Sequence, residues 1–214
     1  MIPLITKVSL VRHGLVENPG EVYYGRLPGF GLAQLGQAQA YATGEYLKDG
    51  DVAVIYHSPM LRALQTAEII RSRCGRTTPL IECDLLNEIH SAYDGQPVAE
   101  MERRNWNFYH EVSPPHEQPE DVLARIVAFF DLVRDKHPGR HVVGVSHADP
   151  IAFAVLWANS LPVSAEQRKQ LVVCGVPDGY PAPASISTFS FADTDERELL
   201  AFAYHAPSVP SRAE

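Results

Sequence analysis

Short apolar runs alternate along this chain with longer stretches in which apolar residues recur every three or four positions. The run "KVSLVRH" (7–13) is continuous and rich in β-branched residues, the pattern of a strand covered on both faces. "DVAVIYHSP" (51–59), "TPLIECDLL" (78–86) and "RHVVGVSHADP" (140–150) repeat that pattern. In 32–50, Leu32, Leu35, Ala38, Tyr41, Ala42 and Tyr46 fall at helical spacing and Gly50 is a stop. Helices are also predicted over "MLRALQTAEIIRSRCG" (60–75), closed by Gly75, over the amphipathic 120–139, and over "IAFAVLWANSL" (151–161). "ASISTFSFAD" (184–193) and "RELLAFAYH" (197–205) read as a closing hairpin.

Residues 90–119 break the pattern. They are polar, rich in His, Arg and aromatics, and punctuated by "SPPHEQP". An irregular or short-helical excursion over one face is expected there. The alternation elsewhere predicts a three-layer α/β/α domain over 1–205 with a mostly parallel central sheet, and a disordered tail over 206–214.

Ligands of such sheets bind beyond the carboxyl ends of the strands. Three of the predicted strands end in polar residues: Arg12-His13, then His57-Ser58-Pro59 followed by Arg62, and Ser146-His147. A parallel sheet would gather these ends at one edge. Two arginines and two histidines there describe a site for a compact dianion. Guanidinium groups offer planar paired donors to phosphate oxygens, and a neutral imidazole can act as nucleophile. No P-loop pattern is present.

Composition narrows the partners. With 18 Lys+Arg against 26 Asp+Glu, the formal charge of −8 argues against a broad nucleic-acid or anionic-membrane surface but does not exclude a small cationic pocket. No apolar stretch approaches the ~20 residues of a membrane span, and the N-terminus lacks the basic region of a signal peptide. Cys74, Cys83 and Cys174 have no metal-type spacing and read as reduced thiols, so a cytoplasmic location is expected. The expected partner is a small phosphorylated metabolite. The oligomeric state is left open, with a homodimer among the expectations.

"LVRHG" at 10–14, "GFGLAQLGQAQA" at 29–40, "SPMLRALQTA" at 58–67, "LLNE" at 85–88 and "VSHAD" at 145–149 together resemble the histidine phosphatase superfamily, the phosphoglycerate mutase-like proteins. The resemblance implies a phosphoglycerate mutase-like fold and a phosphatase acting without metal or other cofactor. It makes His13 the phosphorylated nucleophile and Arg12, Arg62 and His147 the other phosphoryl contacts. Glu88 matches the proton donor of mutase-like members, with Asp149 the runner-up. Asn18, Tyr24, Arg26 and Asp149 are weaker candidates for the substrate side.

Leu15-Val16 replaces the polar pair that often follows the family's RHG triplet. With Trp106 and Arg104 in the excursion, this apolar lip suggests a leaving group larger than glycerate. Rival readings are a mutase, a non-catalytic phospholigand-binding protein, and a metallohydrolase, the last lacking any H-E-x-x-H spacing. The other histidines, His57, His90, His110, His116, His137, His141 and His205, read mostly as solvent-facing.

Overall fold

The computed structural model describes residues 4–192 and 198–208. Six strands form one sheet: β1 (Ile5–Arg12), β2 (Val52–His57), β3 (Leu80–Glu82), β4 (His141–Ser146), β5 (Ile186–Ala192) and β6 (Leu199–His205). Their order is β3-β2-β4-β1-β5-β6. The first four in that order are parallel, while β5 and β6 are antiparallel to their neighbours. Among the described residues five α-helices accompany them: α1 (Gln34–Leu47), α2 (Leu61–Cys74), α3 (Val98–Arg103), α4 (Pro119–Lys136) and α5 (Ala148–Ala158).

Alternation along the strands divides the core between two layers, because successive side chains leave a strand on opposite faces. Val54, Tyr56, Leu10 and Val142 pack with Phe129, Phe130 and Phe153 of α4 and α5. Val11, Ile55, Val143 and Val145 pack with Ala63, Ala67 and Ile70 of α2 and Leu47 of α1. The apolar runs are continuous because both faces are covered. Gly144 permits a close approach of helix to sheet: a Cβ there would lie 2.9 Å from Phe129 Cε1.

Several boundaries differ from those the pattern predicts. Leu32 forms an antiparallel bridge with Val16, so α1 starts at Gln34. The strand expected over 78–86 shrinks to three residues, and Asp84–Leu86 winds into a 3-10 turn. Helix α5 begins at Ala148, directly after β4 rather than at 151. The excursion contains one helix of six residues, α3. A capping box between Gln118 and Asp121, with Pro119 in the first turn, starts α4. The expected tail lies outside the described residues from 209 onward, as does Arg197 at the start of the second hairpin segment. Among the described residues no helix is long and apolar enough to cross a membrane.

Candidate active site

The parallel register brings β1, β2 and β4 to a common edge. His13 N donates to Ser146 O at 3.0 Å, and Ser58 N donates to Val145 O at 2.9 Å, so the three strand ends are tied to one another. Beyond β1 the chain must pass against α1. A Cβ on Gly14 would meet Gly36 O at 2.4 Å, and one on Gly36 would meet Leu15 O at 2.0 Å. Only glycine at both positions allows this passage. Gly14 N donates to Thr66 Oγ1 of α2 at 3.1 Å, which fixes the turn that carries His13.

His13, Arg62, Glu88 and His147 meet at this edge, all buried. His13 Nδ1–H donates to Gly14 O at 2.8 Å, leaving Nε2 as the nitrogen with a lone pair. Burial, with Arg62 and Arg12 beside it, holds the His13 pKa well below the usual histidine value. The imidazole is therefore neutral at pH 7. His147, buried beside Arg62 and His13, is likewise pushed well down. Its Nε2 lies 2.8 Å from Ser58 Oγ.

Arg62 is the hub. Nε donates to His13 Nε2 at 3.2 Å, and Nη2 reaches His147 Nδ1 at 3.1 Å and Glu88 Oε2 at 3.5 Å. Nη2 also donates to Gly25 O at 2.8 Å, and the Tyr24 ring lies 4.7 Å from the guanidinium carbon. Arg12 donates from Nη1 to Pro181 O at 2.6 Å, while its buried Nε has no hydrogen-bond partner among the described residues. A buried guanidinium N–H left unpaired is costly unless an acceptor arrives. An anion's oxygen can supply one.

Glu88 is pushed upward by burial, against the opposing pull of Arg62. Its Oε1 accepts from Ile89 N at 2.9 Å. Two arginines clamp its carbonyl: Arg26 Nε at 2.8 Å and Arg125 Nη2 at 3.2 Å. Glu117 in turn accepts from both arginines, at 3.0 and 2.7 Å. Arg26 is thus a brace behind Glu88 and not, as expected from sequence, a residue lining the cavity.

Asp149 stands in a different environment. Its Oδ1 accepts from Arg168 Nε at 3.0 Å and from the Tyr180 hydroxyl, and Oδ2 accepts from Tyr109 Oη at 2.7 Å. Asp149 lines the cavity, as expected, and its three side-chain partners make it the tie-point of this end. Asn18 and Tyr24 do line the cavity, although Asn18 spends its amide on Val22, donating to its carbonyl at 2.9 Å.

Leu15 and Val16 are absent from the cavity lining. Leu15 is turned outward and half-exposed, and Val16 is buried under its bridge with Leu32. The apolar lip expected there comes instead from Val22, Ile89, Val98, Trp106 and Phe108. Arg104 belongs to a separate hollow with Tyr93 and Glu100. Of the remaining histidines, His57 is buried and donates to Ser58 O at 2.8 Å, and His137 bonds Tyr56 Oη at 3.0 Å.

The sequence pattern assigns nothing to 162–183, and so misses Arg168, Lys169 and Tyr180, all lining the cavity. Topology held the signal. Helix α5 leads away from the site edge, and Ile186 at the start of β5 pairs with Val11 at the end of β1. The intervening chain has to return to the edge before β5 begins.

His13, Glu88 and His147 also bring three ligand-type atoms within 4.8 Å of one another. The Arg62 guanidinium lies against all three, so a cation would face a fixed positive charge at close range. The donor set favours an anion.

The family model described as histidine phosphatase superfamily (branch 1) matches residues 8–177. Uncharacterized protein Rv0525 of Mycobacterium tuberculosis is 37% identical over 155 residues, 70% of this chain and 77% of the relative. Phosphoserine phosphatase 1 of Hydrogenobacter thermophilus is 33% identical over 157 residues, 69% and 73% of the two chains. The structure of mycobacterial glucosyl-3-phosphoglycerate phosphatase Rv2419c superposes with a TM-score of 0.73 at 24% identity, over 94% of this chain and 98% of that one. This chain belongs to the histidine phosphatase superfamily, branch 1, with the phosphoglycerate mutase-like fold.

Proposed function

We propose that the protein hydrolyses small phosphomonoesters through a phosphohistidine formed on His13. One observation carries the reading: Nδ1–H is spent on the Gly14 carbonyl, so a neutral Nε2 remains among Arg12, Arg62 and His147. The phosphatase named among its relatives supports the same class.

In the first step the Nε2 lone pair forms the N–P bond as the P–O bond to the leaving group breaks. Arg12 Nε and the Arg62 guanidinium take the phosphoryl oxygens, whose charge spreads in the transition state. Arg62 shifts from His13 Nε2 to the anion as substrate enters. Glu88 gives its proton to the departing alkoxide, a poor leaving group otherwise. In the second step water attacks phosphorus and yields a proton to Glu88, and the N–P electrons return to Nε2. Hydrolysis is preferred to mutase transfer because only one further cation of the cavity, Lys169, lacks a carboxylate partner among the described residues, too few for a tight carboxylate clamp.

His13→Ala is expected to abolish turnover with the circular dichroism spectrum unchanged. Brief incubation of the wild type with a labelled phosphomonoester should leave acid-labile, alkali-stable label on His13. Near-normal turnover in His13→Ala would overturn the mechanism.

A further inference from the structure

The cavity has a volume of about 420 Å³, well within the small-molecule range of roughly 300–1,000 Å³, and larger than a phosphoryl group requires. A chain of contacts leads away from the histidines. Arg12 lies 5.7 Å from the Tyr180 ring centre, Tyr180 donates to Asp149, Asp149 pairs with Arg168, and Arg168 donates to Trp106 O. At this far end Trp106, Phe108 and Tyr23 form an aromatic wall, with Trp106 and Phe108 edge-on at 6.1 Å and Phe108 stacked on Tyr23 at 4.5 Å.

Two features of that end go beyond packing. Asn105 and Trp106 both have left-handed backbone, φ 50° and 56°. For a bulky aromatic residue this conformation is unfavourable and persists only where the surroundings impose it. Here the imposing groups are Arg168 on Trp106 O and Met101 O, which accepts from Trp106 N at 2.8 Å. The second feature is charge. Arg62 pairs with Glu88 and Arg168 with Asp149. Lys169 also lines the cavity, its Nζ 5.9 Å from the Trp106 ring centre. Its one hydrogen bond among the described residues is a long one, 3.5 Å to Asn105 O, and it forms no ion pair there.

We propose that this end is a second subsite, which takes the leaving group of an ester whose alcohol has a flat or apolar body and a carboxylate at its far end. The body lies against Trp106 and Phe108, and Lys169 meets the carboxylate. The proposal rests on the phosphatase reading above and names its substrate class. An apolar alcohol alone would make no use of Lys169, which is exposed at the cavity's rim. A small hydroxy acid would leave the aromatic wall bare.

The test compares 4-carboxyphenyl and 3-carboxyphenyl phosphate with their neutral carbamoyl counterparts. The wild type is expected to show kcat/KM about five- to tenfold higher for the better-placed carboxylate than for its carbamoyl isostere, the net worth of one ordinary hydrogen bond at an exposed lysine. Lys169→Gln should bring that ratio near one, and Lys169→Arg should restore it. A ratio near one in the wild type for both ring positions, or one unchanged in Lys169→Gln, overturns the subsite. Calorimetric titration with (4-carboxybenzyl)phosphonate against benzylphosphonate, neither hydrolysable, separates the two readings. If no ester is hydrolysed but the carboxylated phosphonate binds more tightly through Lys169, the phosphatase reading fails and the subsite stands. Turnover of every ester with equal phosphonate affinities has the opposite meaning.

Discussion

At the histidine end of the cavity, Arg12, His13 and His147 lie at the ends of β1 and β4, strands paired on both sides. At the aromatic end, Trp106, Arg168 and Tyr180 come from chain with no strand and only short helical turns. The first group is positioned by the sheet, through backbone hydrogen bonds such as His13 N to Ser146 O. The second is positioned by side chains, through the Arg168–Asp149 pair and its two phenols. Chemistry that tolerates little displacement occupies the rigid end. The end built from cross-ties is the one whose shape a few substitutions can change.

Two buried carboxylates, one at each end, give the strongest way to break this comparison. Glu88→Gln should slow hydrolysis of an alkyl phosphate by ~10²–10⁴-fold, the usual scale of general acid–base catalysis. The deficit should shrink for p-nitrophenyl phosphate, whose leaving group needs little protonation. An equal deficit on both esters would make Glu88 structural. The pH profile carries the sign. His13 must be deprotonated and its pKa is depressed, so the acid limb of kcat/KM lies below the ordinary histidine range. Glu88 must be protonated and its pKa is raised, so activity on alkyl esters falls as pH climbs through that raised value. In Glu88→Gln this alkaline limb should disappear.

Asp149→Asn should do the reverse. It leaves the Arg168 guanidinium, 3% exposed, without its anion. Breaking a buried pair from one side costs about 3–5 kcal/mol, measurable as a lowered urea midpoint. The leaving-group dependence of turnover should stay as in the wild type. A loss specific to alkyl esters in Asp149→Asn would make Asp149 the proton donor and reassign the two carboxylates.

The difference between the two ends also explains what the sequence disclosed. His13, Arg62 and His147 could be placed because apolar runs mark strands, and a parallel sheet brings strand ends to one edge whatever their separation in the chain. Gly14 and Gly36 obey the same logic, since each leaves room for the other's backbone. The cross-tied end has no periodicity to read. Arg26 was assigned to the cavity from its place in the loop after His13, but its partner Glu117 is 91 residues away, and that ion pair turns it behind Glu88. Arg168 and Tyr180 were invisible for the same reason: their significance comes from Asp149, a contact no local pattern encodes.

Arg104 provides the smallest expected effect and the sharpest test of where the aromatic end stops. Adjacency in "RRNWNF" suggests that Arg104 and Trp106 serve one subsite. The chain separates them. Helix α3 ends at Arg103, and the left-handed turn at Asn105 and Trp106 carries the indole into the cavity wall. Arg104 stays on the other hollow, its Nε donating to Glu100 Oε1 at 2.9 Å and its guanidinium carbon 5.2 Å from the Tyr93 ring centre. A half-exposed pair of this kind is worth roughly 0.2–1 kcal/mol. Arg104→Ala should therefore leave kcat/KM within about twofold for every ester, since nothing it touches reaches the phosphoryl group, and should lower stability by no more than that same ~1 kcal/mol. Steady-state kinetics on the carboxylated and neutral esters checks both ends at once. A tenfold fall confined to the carboxylated esters would mean that Arg104 turns toward the cavity when substrate is bound, and the aromatic end would then extend over α3.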